Sequence, residues 1–424
     1  DRLAAGCTGV KRTSGQHPAG MVVVPEEYEI YQFTAIQHPA DDQTSDVITT
    51  HYDFNSMHDV LVKLDILGHD DPTMLRKLQD LTGIAPQKVP LDDPEVYRSI
   101  ISLFSTPQAL GVTPEQINCP TGTLGIPEFG TTFVRGMLVD TKPSSMEELV
   151  RISGLSHGTD VWLGNIQEIV KSGTATLKSA PCTRDDIMNQ LIAWGVPSKM
   201  AFDIMEFTRK GKAAKAGGVF KEGMEEAMKA ANVPDWFIDA CRKIGYMFPK
   251  AHAVAYVTMG LRIAYFKIYY PTEYYACYLK RNIEKFDGSK MVCSLDHARN
   301  WMAELQALPK EERDKQDDVI SMLEILIEML TRGIKLLPVD VYKSHPEDFV
   351  IEAEKSIRVP LNSLPGLGLS AAENIARIRE DGPFISQEDM IRRKVSKSIV
   401  EMLKNVGALG DMPESSQVSL FDML

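Results

Sequence analysis

Hydrophobic residues along this chain change period once, sharply. Up to about position 68 they come in short β-rich runs at 20–25, 47–50 and 60–68, and such runs predict strands. The third run is almost wholly apolar and predicts a buried strand. Beyond it the period becomes helical. Asp71 before Pro72 predicts an N-cap with proline at the first helical position, and the helix over 73–81 stops at Gly83. Asp70 and Asp71 therefore read as capping groups rather than metal ligands. Further helices are predicted over 146–152, 184–194, 199–210, 221–231, 235–244 and 253–270, the last closed by Pro271 and carrying a core stripe of Val254, Val257, Leu261, Ala264 and Ile268. A charged stretch at 310–318 leads into an amphipathic helix with Val319, Met322, Leu323, Leu326, Ile327 and Leu330 on its apolar face, and 286–350 is a boundary region. The fold class is α+β, a small mixed or antiparallel sheet followed by mainly helical structure.

Asp65 stands out in this pattern. It lies in the third apolar run, and an ionised carboxylate is costly to bury unless it is paired or bound to a metal. Residues two apart on a strand share a face, so Lys63 and Asp65 project side by side about 6–7 Å apart, with Val62, Leu64 and Ile66 facing the other way. That surface offers a carboxylate for a metal and an ammonium for a phosphate. An ordinary ion pair at a strand end accounts for the same spacing.

With 424 residues the chain has room for two to four domains. No run of apolar residues is long enough to span a membrane. The start, Asp1-Arg2-Leu3-Ala4, resembles neither a signal peptide nor an initiator methionine, and the expectation is a fragment of a longer protein. The six cysteines, at 7, 119, 182, 241, 277 and 293, show no C-x-x-C spacing, so they read as reduced cytosolic thiols rather than a zinc site or disulfide framework. A formal charge of -12 argues against nonspecific nucleic-acid binding by the whole chain. The distribution is more telling. Between Arg242 and Arg281 there are seven Lys or Arg against the single acid Glu273, and eight of the 13 tyrosines lie there too. Such interleaving suits phosphates and bases, although tyrosines at helical spacing are commonly core.

Three further segments carry candidate chemistry. The glycine-punctuated stretch 9–20, with Lys11, Arg12 and His17, can form a phosphate-contacting loop or a plain connection. Residues 361–379 have the form of a helix-hairpin-helix. Gly366 and Gly368 let backbone amides approach a phosphate, Ser370 with Glu373 predicts a capping box, and Arg377 and Arg379 make the following helix basic, a combination that binds DNA backbone. A looser copy follows at 394–409. In the tail, Gln417, Leu420 and Phe421 have the form of a short docking peptide.

Three longer motifs carry a resemblance: Lys63-Leu64-Asp65-Ile66-Leu67-Gly68-His69-Asp70-Asp71-Pro72-Thr73, Gly154-Leu155-Ser156-His157-Gly158-Thr159-Asp160-Val161-Trp162, and Tyr246-Met247-Phe248-Pro249-Lys250-Ala251-His252-Ala253-Val254-Ala255-Tyr256. Over essentially its whole length the chain resembles the C-family replicative DNA polymerases, most closely the PolC type of DNA polymerase III alpha subunit. The resemblance implies template-directed addition of dNTPs to a primer on primer-template DNA, with two metal ions, normally Mg2+, held by three palm aspartates. Asp65 corresponds to the third, with Lys63 beside it toward the triphosphate or primer end. The other two belong to an Asp-x-Asp pair, and this sequence contains none. The chain is therefore expected to be a C-terminal part, inactive in isolation.

The implied organisation is palm over 1–70, fingers over 71–285, a connecting region over 286–350, a helix-hairpin-helix duplex-binding domain over 351–412 and a sliding-clamp tail over 413–424. Arg209, Lys210 and Lys212 resemble the family's basic turn and are the leading triphosphate contacts, followed by Arg184, His157, Lys250 and His252. Gln417, Leu420 and Phe421 resemble the PolC peptide for the clamp (beta subunit). The expected setting is the cytoplasmic replisome with its other subunits. A rival expectation is a non-enzymatic DNA-binding and clamp-tethering module in which Asp65 is structural.

Overall fold

The computed structural model describes residues 1–10, 14–66 and 68–415, so Lys11, Arg12, Gln417, Leu420 and Phe421 lie outside the described residues. Two compact units follow one another along the chain, Asp1–Asp70 and Asp71–Leu424.

In the first unit β1 (Gly20–Val23) pairs antiparallel with β4 (Val62–Asp65), setting Gly20 opposite Asp65 and Met21 opposite Leu64. A second ribbon joins β2 (Ile36–Gln37) to β3 (Thr49–Thr50), so the run at 47–50 is strand only in its last two residues. The alternation of faces holds: Met21, Val23, Val62 and Leu64 share one side and Lys63 and Asp65 the other. The expected burial of the Asp65 strand does not. Val62, Leu64 and Ile66 are 62%, 50% and 63% exposed, because a two-stranded ribbon cannot cover its own apolar face.

The second unit is mainly helical and has a large apolar core. Its longest helix, Lys250–Tyr269, starts three residues before the predicted position, with Pro249 at the N-cap. Ala253, Val257, Leu261 and Ala264 form its buried face, whereas Val254 is 38% exposed, one position off the predicted stripe. The helix Asp317–Thr331 packs into the same core through Met322, Leu323, Leu326 and Ile327. A small sheet follows, with β5 (Lys335–Leu337) parallel to β7 (Ser356–Arg358) and β6 (Val350–Ala353) antiparallel to it.

Three local expectations change. The helix near 70 spans Asp70–Thr82, which puts Asp71 inside it rather than at the position before it; Asp71 is buried and ion-pairs with Arg281 at 2.7 Å. The helix Leu369–Glu380 is capped by the Gly368 backbone with no side-chain cap, so Ser370 falls within the first turn and the predicted capping box with Glu373 does not form. Nor is the predicted helix over 221–231 as long, since Gly223 at φ +83° starts it at Met224.

The basic, tyrosine-rich stretch also divides. Lys267, Tyr274 and Tyr275 are fully buried, and Lys280 pairs with Glu347, so part of this apparent patch serves the core or its rim. Tyr246 and Tyr269 remain 41% and 43% exposed.

Candidate nucleotide-binding site

Four separated segments of the second unit are drawn together by backbone hydrogen bonds around 245–252. Thr159 N donates to Tyr246 O at 2.9 Å and Gly245 N to Thr159 O at 2.9 Å. Met247 N donates to Arg209 O at 3.2 Å, and Arg184 N to Phe248 O at 3.1 Å. The glycine of the basic turn is required here. Gly211 has φ +64°, and a Cβ on it would lie 2.1 Å from Gly245 O. His157, Arg184, Arg209, Lys210, Lys212, Lys250 and His252 are thus carried by segments that meet, although they span almost a hundred positions of sequence.

Two helix N-termini adjoin in this cluster. The helix Arg184–Ala193 opens on Arg184, and the helix Lys250–Tyr269 opens on Lys250. Asp185 stitches them, accepting from Lys250 N at 2.7 Å, while Asp186 caps its own helix through Thr183 and faces Lys250 Nζ at 3.5 Å. The first-turn amides and the helix dipole favour anions at such ends. A row of rings lines the same place. His157 lies 5.3 Å from Phe248 and 6.2 Å from His252, and His252 lies 4.3 Å from Tyr256.

Each cation of the turn already has a partner. Glu206 accepts from Arg209 Nη2 at 2.8 Å and pairs with Lys210 Nζ at 3.0 Å; Lys212, exposed, lies over the Phe207 ring at 6.0 Å. The Arg209 hydrogen bond, with Lys210 behind it, holds the Glu206 carboxyl at about 2 against an ordinary 4.5. A depressed folded pKa means that this clamp stabilises fully above the ordinary value and is lost only as pH falls through about 2. An NMR titration of the Glu206 carboxyl is expected to show a midpoint near 2 that returns toward 4.5 in Arg209→Ala; a midpoint near 4.5 in the unaltered chain contradicts the clamp.

In the first unit Lys63 Nζ lies 3.2 Å from Asp65 Oδ1, with the Asp65 side chain 49% exposed. Gly20 makes room across the ribbon, since a Cβ there would meet Lys63 Cδ at 3.1 Å and His17 Nδ1 at 2.8 Å. His17 is engaged locally: its Nδ1 accepts from Gly20 N at 2.6 Å and Ala19 N at 3.1 Å. One carboxylate beside an ammonium does not make a metal site, and among the described residues no group of three or more His, Cys, Asp or Glu could hold a metal ion.

At the other end of the chain Gly366 (φ +91°), Gly368 and Ser370 form an exposed rim above buried Leu364 and Leu367. Arg377 is exposed and donates to Asn374 Oδ1 at 2.8 Å. Arg379 donates to Val341 O and Ser344 O, both at 2.8 Å, so it serves the fold rather than the basic face.

Family models match along the chain: the bacterial DNA polymerase III alpha NTPase domain at residues 2–68, the bacterial DNA polymerase III alpha subunit finger domain at 71–232 and a helix-hairpin-helix motif at 333–418. A PolC-type DNA polymerase III from Caldanaerobacter subterraneus subsp. tengcongensis is 52% identical over 421 residues, which is 99% of this chain and 29% of that relative. The chain belongs to the PolC-type DNA polymerase III family. PolC-type relatives from Clostridium perfringens (53% identical, 99% of this chain, 28% of the relative) and Staphylococcus aureus (52%, 100% and 29%) agree. The chain therefore spans less than a third of the length of the PolC-type relatives it matches.

Some residues that shape the cluster carry no forecast in the sequence. Glu206 was findable, standing three and four positions before Arg209 and Lys210 on one helix. Glu128, which pairs with His157, is 29 residues away and gives no local signal.

Proposed function

We propose that this chain carries the nucleotide-binding part of a replicative DNA polymerase, one that adds dNTPs to a primer 3'-hydroxyl under template direction. The supporting observation is the convergence of His157, Arg184, Arg209 and Lys250 on two adjoining helix N-termini. Phosphoryl transfer asks a protein chiefly for positioning and charge neutralisation, and these residues are placed to bind and orient a triphosphate. Lys210, Lys212 and His252 border the same cluster. Asp65 supplies one carboxylate toward Mg2+, with Lys63 beside it, and the remaining ligands come from residues outside this sequence. When bound, such ions activate the 3'-hydroxyl and steady the leaving pyrophosphate.

The surrounding roles follow. The exposed rim of Gly366, Gly368 and Ser370, with Arg377, and the sequence stretch that includes Lys11, Arg12 and His17 contact primer-template backbone. Gln417, Leu420 and Phe421 dock on the sliding clamp, and other replisome subunits complete the assembly. The proposed division is palm over 1–70, fingers over 71–285, a connecting region over 286–350, the duplex-binding domain over 351–412 and the clamp tail over 413–424. Alone, this chain does not extend primers. Among the described residues no helix is long and apolar enough to cross a membrane.

In the full-length polymerase, Arg209→Ala is expected to raise the KM for dNTP by about 10- to 100-fold, the range of a lost hydrogen bond to a charged group. An unchanged KM contradicts this reading. The 3.2 Å Lys63–Asp65 pair keeps one second reading in play, a DNA-binding and clamp-tethering module without its own chemistry. It predicts that Asp65→Asn leaves function intact while removal of 417–424 abolishes it.

A further inference from the structure

Glu128 is held in a conformation that glutamate seldom adopts. Its φ is +71°, and it does not end a helix, unlike Asn118 and Lys142, which take positive φ as C-caps. Ile126 and Phe129 on either side are buried at 2% and 0%, and Phe129 N donates to Ile126 O at 3.2 Å. The turn is equally tight at Gly130, where a Cβ would lie 3.1 Å from Gly125 N. Glycine would satisfy this backbone at Glu128 without strain. What the glutamate adds is a carboxylate, and that carboxylate bonds Nε2 of His157.

His157 is the last residue of the helix Met146–His157, and its ring stands 5.3 Å from Phe248 and 6.2 Å from His252 in the convergent cluster. A carboxylate only accepts, so Nε2 carries the hydrogen of that bond; Nδ1 is the nitrogen left for a ligand, and it donates to a phosphate oxygen when the ring carries both hydrogens as the imidazolium, the form a carboxylate partner favours. Backbone strain kept at one residue, with its side chain aimed at a ring of the site, points to a purpose other than folding.

We propose that Glu128 is a positioning residue, whose carboxylate fixes the His157 ring at Nε2 so that Nδ1–H of the imidazolium is presented as a donor to the triphosphate of the incoming nucleotide. The proposal rests on the nucleotide-site reading above. It concerns ground-state and transition-state binding alike, so it acts on KM rather than kcat.

The test compares Glu128→Gly, Glu128→Gln, His157→Ala and the Glu128→Gly/His157→Ala double variant in the full-length polymerase, by steady-state single-nucleotide incorporation and thermal denaturation. Glu128→Gly is expected to raise the KM for dNTP about tenfold with kcat within about twofold, while the thermal midpoint stays or rises because the strain is relieved. Glu128→Gln, which still accepts a hydrogen bond, stays near the unaltered enzyme. The double variant is no worse than His157→Ala alone, because the two residues act as one unit. If His157→Ala raises KM and Glu128→Gly does not, this proposal is overturned and the site reading stands. A Glu128→Gly variant that loses thermal stability along with activity overturns it as well, since the glutamate is then structural. If neither His157→Ala nor Arg209→Ala changes KM, the site reading and this proposal fall together.

Discussion

Asp65→Asn in the full-length polymerase is expected to lower kcat for primer extension about a thousandfold or more, equivalent to ~4 kcal/mol of barrier, while leaving stability almost unchanged. The two halves of this prediction come from different observations. Asparagine keeps the shape but removes the negative charge that a metal requires. In the folded chain, however, Asp65 is half exposed and pairs with Lys63 at 3.2 Å, and an exposed pair contributes only about 0–1 kcal/mol. A large loss of rate without a loss of stability therefore separates a catalytic carboxylate from a structural one. Primer extension within tenfold of the unaltered enzyme would remove Asp65 from the chemistry.

The largest stability effect belongs elsewhere. Lys267 and Glu328 are both fully buried, 2.7 Å apart, on the helices Lys250–Tyr269 and Asp317–Thr331. Lys267 Nζ also donates to Gly122 O at 2.8 Å and Leu124 O at 2.6 Å, and Tyr275 donates to Glu328 at 2.6 Å. Burial pushes the Lys267 pKa down and Glu328 opposes it. Glu328→Ala leaves a buried ammonium without its counter-charge and is expected to cost about 3–5 kcal/mol, read as a lower denaturation midpoint in urea. The double variant Lys267→Met/Glu328→Leu removes both charges and is expected to recover part of that loss, because an apolar pair has no desolvation cost. A Glu328→Ala chain as stable as the unaltered one would show that the pair is not what joins these helices.

How much of this was legible in the sequence depended on the range of the physics involved. Lys63 and Asp65 were placed side by side by strand alternation alone, and the helices opening near Arg184 and Lys250 followed from periodicity and proline. What failed was what depends on distant partners. Asp71 reads locally as a cap, yet Arg281, 210 residues on, claims it. Ser370 has the spacing of a capping box, yet the chain enters that helix two residues too early for it to act. Lys267 counts toward a basic patch until Glu328 is folded against it. The resemblance carried by the motifs named the cations of the cluster, but the acids that hold them, Glu128, Asp185 and Asp186, come from other segments and had no periodic signature.

The central claim is that the segments around His157, Arg184, Arg209 and Lys250 form the triphosphate end of a polymerase site. It is tested most directly by the structure of the full-length polymerase with primer-template DNA and an incoming dNTP. The prediction is that the β- and γ-phosphates lie within hydrogen-bond distance of Arg209 and of at least one first-turn group at Arg184 or Lys250, with Glu206 still beside the turn. A triphosphate bound away from this cluster, with all four segments untouched, would contradict it.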